Sequence, residues 1–166
     1  MRDGKWKVRT ATAADLWAVT AVEGRCFPAA EAAKEKTFAE RLAVYPEYFW
    51  LLEDENGTLI SFVNGPVTRE AELRDEMYAD ASCHDPRGAW QMIFGVNTLP
   101  EYRRQGLAEQ VLRRVIADAR AQGRLGCVLT CKAALVHYYE KFGFVSEGLS
   151  ASEHGGAEWY AMRLTF

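Results

Sequence analysis

The stretch WQMIFGVNTLPEYRRQGLAEQVLRRVIADARAQG, residues 90–123, constrains the fold of this chain more than any other. Its first nine residues are almost continuously apolar, which suits a central strand covered on both faces. After Pro100 the pattern changes. Leu107, Val111, Leu112, Val115, Ile116 and Ala119 recur at core spacing in a long helix from about Gln105 to Gln122, and Gly123 lies just beyond its end.

The flanking sequence supplies partners for that strand. WKVRTAT predicts an opening strand, and Thr12 or Ala13 begins an amphipathic stretch with Leu16, Val19, Ala21 and Val22 on its apolar side, ended by Pro28. Residues 31–44 have helical composition, and Pro46 stops them before the strand YFWLLED. Asn56-Gly57 is a strong hairpin signal that joins this strand to TLISFVNGPV, so two adjacent antiparallel strands are expected. Residues 68–88 predict loop plus helix. A buried strand (CVLTC), a short helix (AALVHYYEKF) and two closing strands around FVSEGLS and EWYAMRLTF complete the chain, without internal repeats. This order implies an α+β fold with a mixed, largely antiparallel central sheet and helices on both faces.

At 166 residues the expectation is one domain spanning 1–166. Twenty Lys and Arg against 23 Asp and Glu give a net charge of -3, which is no nucleic-acid footprint, and only Arg103-Arg104 stands as an unmixed basic pair. No run approaches the about 18 apolar residues of a membrane span, and MRDGKWKVRT lacks the apolar core of a secretory signal, so a cytoplasmic setting without membrane partner is expected. The four cysteines are too scattered for a disulfide framework, and Cys127 and Cys131 are predicted core filler in one strand. No His/Cys/Asp spacing resembles a metal site.

Arg103-Arg104-Gln105-Gly106-Leu107-Ala108 lies where the strand hands over to the long helix. The first turn of a helix carries N–H groups without backbone partners, a ready anion site. Gly106 keeps the backbone open to a phosphate, Ala108 keeps the next turn low, and either arginine can add charge-assisted contacts. A solvated basic helix start explains the same residues. Likewise Leu135–Phe144, LVHYYEKFGF, reads equally as an amphipathic helix closed by Gly143.

Together the two segments resemble the GNAT superfamily of acetyl-CoA-dependent N-acetyltransferases, whose Arg/Gln-x-x-Gly-x-Gly/Ala loop follows its fourth strand and binds the CoA diphosphate. CKAALVHYYEKFGF is similar in particular to the arylalkylamine (serotonin) N-acetyltransferase group. The resemblance implies a GNAT-type sheet, acetyl-CoA as cosubstrate, no metal, and direct attack by a primary amine in a ternary complex. It implies that the backbone of Gln105, Gly106, Leu107 and Ala108, with Arg103 and Arg104, holds the diphosphate, and that Phe94, Gly95 and Val96 pair with pantetheine as an added strand. Tyr139 then protonates the departing thiolate, while Tyr138 packs. Acetylation of a protein N-terminus or lysine, and a non-catalytic acyl-CoA sensor, are the alternatives; a homodimer stays open.

Met92 and Phe94 occupy the positions of the two strand histidines that remove the amine proton in the vertebrate arylalkylamine enzymes, and Cys26–Ala33 is shorter than their mobile substrate loop. A base is therefore sought elsewhere. Glu31 and His84 are the candidates, with Glu35 also near the expected acceptor entrance and His137 and His154 weighed beside them. Phe27, Phe62, Trp90 and Trp159 are candidates for an aromatic acceptor wall, each with core packing as its alternative.

Overall fold

The computed structural model describes residues 5–166. In chain order the elements are β1 (Lys7–Thr10), α1 (Leu16–Cys26), α2 (Glu35–Val44), β2 (Phe49–Glu53), β3 (Leu59–Asn64), β4 (Val67–Thr68) and α3 (Glu76–Ala79). They continue as β5 (Trp90–Ile93), β6 (Val96–Thr98), α4 (Leu107–Ala121), β7 (Gly126–Cys131), α5 (Val136–Glu140), β8 (Val145–Leu149) and β9 (Tyr160–Thr165). They form two compact units, the chain up to Asn64 with Gly95–Val115, and Gly65–Phe94 with Ile116–Phe166.

The first unit holds an antiparallel sheet in the order β1-β2-β3-β6. The hairpin between β2 and β3 forms as its sequence predicts: Asp54 Oδ1 accepts the N–H groups of Asn56 and Thr58, and Gly57 takes a φ of 79°. Before α1, Thr12 and Asp15 close a capping box, and Arg9 grips Asp15 through both guanidinium nitrogens at 2.9 and 2.7 Å. Val19 and Val22 of α1 and Phe38 and Leu42 of α2 are buried with the strand residues Phe49 and Phe62. Residues 31–34 do not join the second helix. The N–H groups of Glu31 and Ala32 instead turn back to Pro28 O, and the helix starts at Glu35.

The second unit holds a five-stranded sheet, β4-β5-β7-β9-β8, in which only β5 and β7 run parallel. Leu73, Met77, Met92, Phe94 and Val128 form a core cluster. Cys127 and Cys131 are buried in β7, where burial pushes their thiols up to about 12 and about 11, as befits apolar filler.

Two expected strands are each broken. TLISFVNGPV divides at Gly65 into β3 and β4, and WQMIFGVNT divides at Phe94-Gly95 into β5 and β6. Sequence period cannot reveal either break, because each depends on which ladder the two halves join. Among the described residues no helix is long and apolar enough to cross a membrane.

Candidate active site

In the first unit β6 leads into an exposed turn. Thr98 O accepts from Arg103 Nε at 3.0 Å and from Cys26 Sγ at 3.3 Å, fixing the base of the loop against the end of α1. Burial raises the Cys26 thiol above its usual range, against the opposing pull of Arg103. Residues 103–106 are exposed. Arg104 and Gly106 both have left-handed φ, 64° and 75°, a conformation that turns neighbouring N–H groups toward one side and that an arginine adopts at a cost. The first backbone bond into α4 runs from Gln110 N–H to Gly106 O. The first turn of any helix carries N–H groups that its own backbone does not bond, and a Cβ on Gly106 would meet nothing within 4 Å. The backbone at Gly106 is thus open to an approaching anion.

Beside β6 lies a carboxylate that the sequence analysis did not single out. Glu23 of α1 is 5% exposed; its Oε1 accepts from Asn97 Nδ2 at 3.1 Å and its Oε2 from Ala33 N–H at 2.8 Å. Asn97 is wholly buried, and its Oδ1 accepts no hydrogen bond among the described residues. Gly95 is adjacent: a Cβ there would lie 3.1 Å from Asn97 Nδ2, 3.2 Å from Glu23 Oε1 and 3.2 Å from the Phe27 ring. The signal was available, since Glu23 follows Val19 by four residues and so falls on the inward face of α1. Phe27, predicted as acceptor wall, thus stands next to a buried acid. Phe62 does not line a cleft: it is fully buried, edge-on to Phe38 at 6.0 Å and stacked over Phe49 at 6.5 Å. Glu31 sits half-buried in the Pro28 turn, and Glu35 is exposed at the start of α2.

The second unit positions Tyr139. Short α5 buries this ring, 6% exposed, between Tyr138 and Phe144. Burial, with the neighbouring Tyr138 and Cys131 adding to it, pushes the phenol above its ordinary range, so the proton stays on the oxygen throughout neutral pH. Tyr138 packs edge-on to Phe142 with Lys141 Nζ 4.5 Å from its ring centre, in keeping with a packing role. His137 is fully exposed, 3.4 Å from Glu140.

His84 Nδ1 accepts the Val67 N–H at 3.0 Å, which places the ring proton of the neutral form on Nε2 and gives this histidine a structural duty at the edge of β4. Trp90 lies under the Arg163 guanidinium at 4.7 Å. Phe94 contacts Tyr78 at 4.5 Å between ring centres, Tyr78 stacks on His154 at 4.6 Å, and Trp159 Nε1 donates to His154 O. Among the described residues no group of three or more His, Cys, Asp or Glu could hold a metal ion.

Residues 16–144 match the acetyltransferase (GNAT) family. The chain is 30% identical over 95 residues to the serotonin N-acetyltransferase of Mesocricetus auratus, a match covering 57% of this chain and 44% of that protein, so it spans less than half the length of that curated relative. Among solved structures, the loading GNATL domain of CurA from Lyngbya majuscula superposes with a TM-score of 0.81 at 16% identity over 96% of this chain and 97% of that one. The GphF GNAT-like decarboxylase in complex with isobutyryl-CoA gives 0.81 at 22% identity, over 96% and 98%. At such identities these structures share the fold, the mixed α+β arrangement expected from the sequence.

Proposed function

This chain belongs to the acetyltransferase (GNAT) family, and from that premise we propose that it transfers the acetyl group of acetyl-CoA to a primary amine, a small arylalkylamine-like amine being the preferred acceptor. The observation that carries the reading is the exposed 103–106 turn, whose two left-handed residues open the backbone at the start of α4 where a diphosphate can seat. Arg103 and Arg104 add charge there. The peptide groups of Phe94 and Gly95, outside both strand ladders, and that of Val96 are the proposed partners of the pantetheine amides. A protein of the same fold holding isobutyryl-CoA supports an acyl-CoA in this role, and the partial likeness to a serotonin N-acetyltransferase supports the amine.

The amine nitrogen attacks the acetyl carbonyl carbon, the carbon–sulfur bond breaks, and Tyr139 gives the sulfur its phenolic proton. The proposed setting is one catalytic domain in the cytoplasm, where the four free cysteines stay reduced, with a small amine rather than nucleic acid or membrane as its partner.

Incubation with acetyl-CoA and a panel of arylalkylamines, aliphatic amines and peptides, followed by free-thiol release, tests the reading. Thiol release with small amines is expected. Release with peptides alone would assign a protein N-terminus or lysine as acceptor, and CoA binding without release in any mixture would make the chain a sensor.

A further inference from the structure

The Glu23–Asn97 pair carries more than packing explains. A buried carboxylate beside a buried amide oxygen is stable only when donors satisfy both. Glu23 receives two N–H groups, yet Asn97 Oδ1 has none among the described residues. Exchanging the amide's oxygen and nitrogen does not relieve this, because it would set Oδ1 against the carboxylate. A ligand that pairs with Asn97 Oδ1 would have to bring a donor and tolerate a negative neighbour. A primary ammonium, with three N–H donors and one positive charge, meets both needs at once. Gly95 and Phe27, which adjoin the carboxylate, are each partly exposed.

We infer that Glu23, assisted by Asn97 Oδ1, is the site that receives the acceptor amine as its ammonium and takes its first proton. The inference rests on the amine-acetylation reading above and names the residues at its acceptor end. One ammonium proton passes to Glu23 and on to solvent, one remains on the amide product, and the third leaves as the nitrogen becomes an amide, matching the proton that sulfur takes from Tyr139. The titratable neighbour of Glu23 on its own helix is Cys26, which in turn feels Arg103 beyond β6; β3 and β6 carry no titratable side chain.

The test uses the CoA-loaded protein and a matched pair of probes, 2-phenylethylammonium and 2-phenylethanol, in calorimetry near neutral pH. The ammonium is expected to bind at least about tenfold more tightly, through its charge-assisted bonds. In Glu23→Gln the preference should collapse toward unity while CoA affinity is kept. The variant's kcat/KM for the amine should fall about a hundredfold. It should recover as pH rises toward the amine's own pKa of about 10.4, where the free base supplies itself. A purely structural Glu23 would lower CoA affinity and thermal stability without that pH-dependent recovery. Equal binding of the two probes to the wild-type protein overturns the inference whether or not any variant folds, and so does a preserved preference in Glu23→Gln. If the wild-type protein prefers the ammonium but acetylates no amine, the acetylation reading fails and the ammonium site stands.

Discussion

Asn97 donates to Glu23 Oε1 across 3.1 Å, tying β6 to α1 through two side chains that are both buried. Gly95 adjoins this bond so closely that a methyl group must displace Asn97, Glu23 or Phe27. Gly95→Ala is expected to cost about 1–3 kcal/mol by overpacking and to lower kcat/KM for the amine about tenfold or more, because a displaced reacting group loses rate steeply. Steady-state kinetics and a thermal melt check it, and a variant with wild-type kinetics would show that the bond has room to yield.

Gly106→Asp should abolish CoA binding. A carboxylate at the first turn of α4 favours the helix itself, so the loss would come from competition with the diphosphate rather than from unfolding. Gly106→Ala serves as the neutral control: with φ at 75° it carries about 1–2 kcal/mol of backbone strain and should weaken binding modestly. Unchanged CoA affinity of a folded Gly106→Asp variant in calorimetry rejects the loop as the diphosphate site.

Tyr139→Phe keeps the ring against Tyr138 and Phe144 and removes only the acid. With phenol near 10 and thiol near 8.5, complete proton transfer in water is uphill by about 2 kcal/mol, and burial of Tyr139 adds to that. The proton must therefore move as the carbon–sulfur bond breaks, and such an acid contributes about 10² to 10⁴ in rate. Because the raised pKa extends the protonated range upward, Tyr139 should impose no alkaline fall in rate below about pH 10. Single-turnover transfer should slow by that factor in Tyr139→Phe and little in Tyr138→Phe; equal rates in the two would remove the assigned acid.

His84→Ala is expected to leave the pH dependence of acetyl transfer in place and to lower stability by about 1–3 kcal/mol, since the Val67 N–H loses its acceptor. Glu31→Gln in the Pro28 turn should change neither property by more than a small factor. A pH–rate profile shifted by either substitution would reinstate that residue as the base.

Asp15→Ala removes the capping-box acid and one of the two carboxylate partners of Arg9, which keeps Glu53, at a cost of about 1–2 kcal/mol near pH 7. Arg9 holds the Asp15 carboxyl below its ordinary range, so the native state keeps the charge to lower pH than the unfolded chain does. Its stabilisation is complete above the unfolded pKa of about 3.9 and disappears as pH falls through the native value. Urea melts of both proteins should accordingly converge in acid; a gap that persists there would mean that the carboxylate is not its source.

What could be read from the sequence was what is local. The Asn56-Gly57 hairpin and the course of α4 depend on turn chemistry and on a period of 3.6 residues, both contained within a few neighbours. The breaks at Gly65 and Phe94-Gly95 depend on which distant strand supplies the hydrogen bonds, and an apolar run is silent about that. The loop at the start of α4 was legible through Gly106, but the left-handed Arg104 was not, because arginine carries no conformational signature. His84 looked chemical in sequence because its ring can titrate, yet its Nδ1 is engaged by a backbone amide from a segment 17 residues away. Glu23 was passed over for the opposite reason, as one more charge on a helix.

Cys127 and Cys131 lie buried in the central strand of the second unit, and burial leaves almost none of either as thiolate at neutral pH. Alkylation of these two positions under native conditions must wait for β7 to open, whereas the partly exposed Cys26 and Cys83 need not. The chain thus contains an intrinsic clock for the opening of one half of the molecule, readable by mass spectrometry without any added label site.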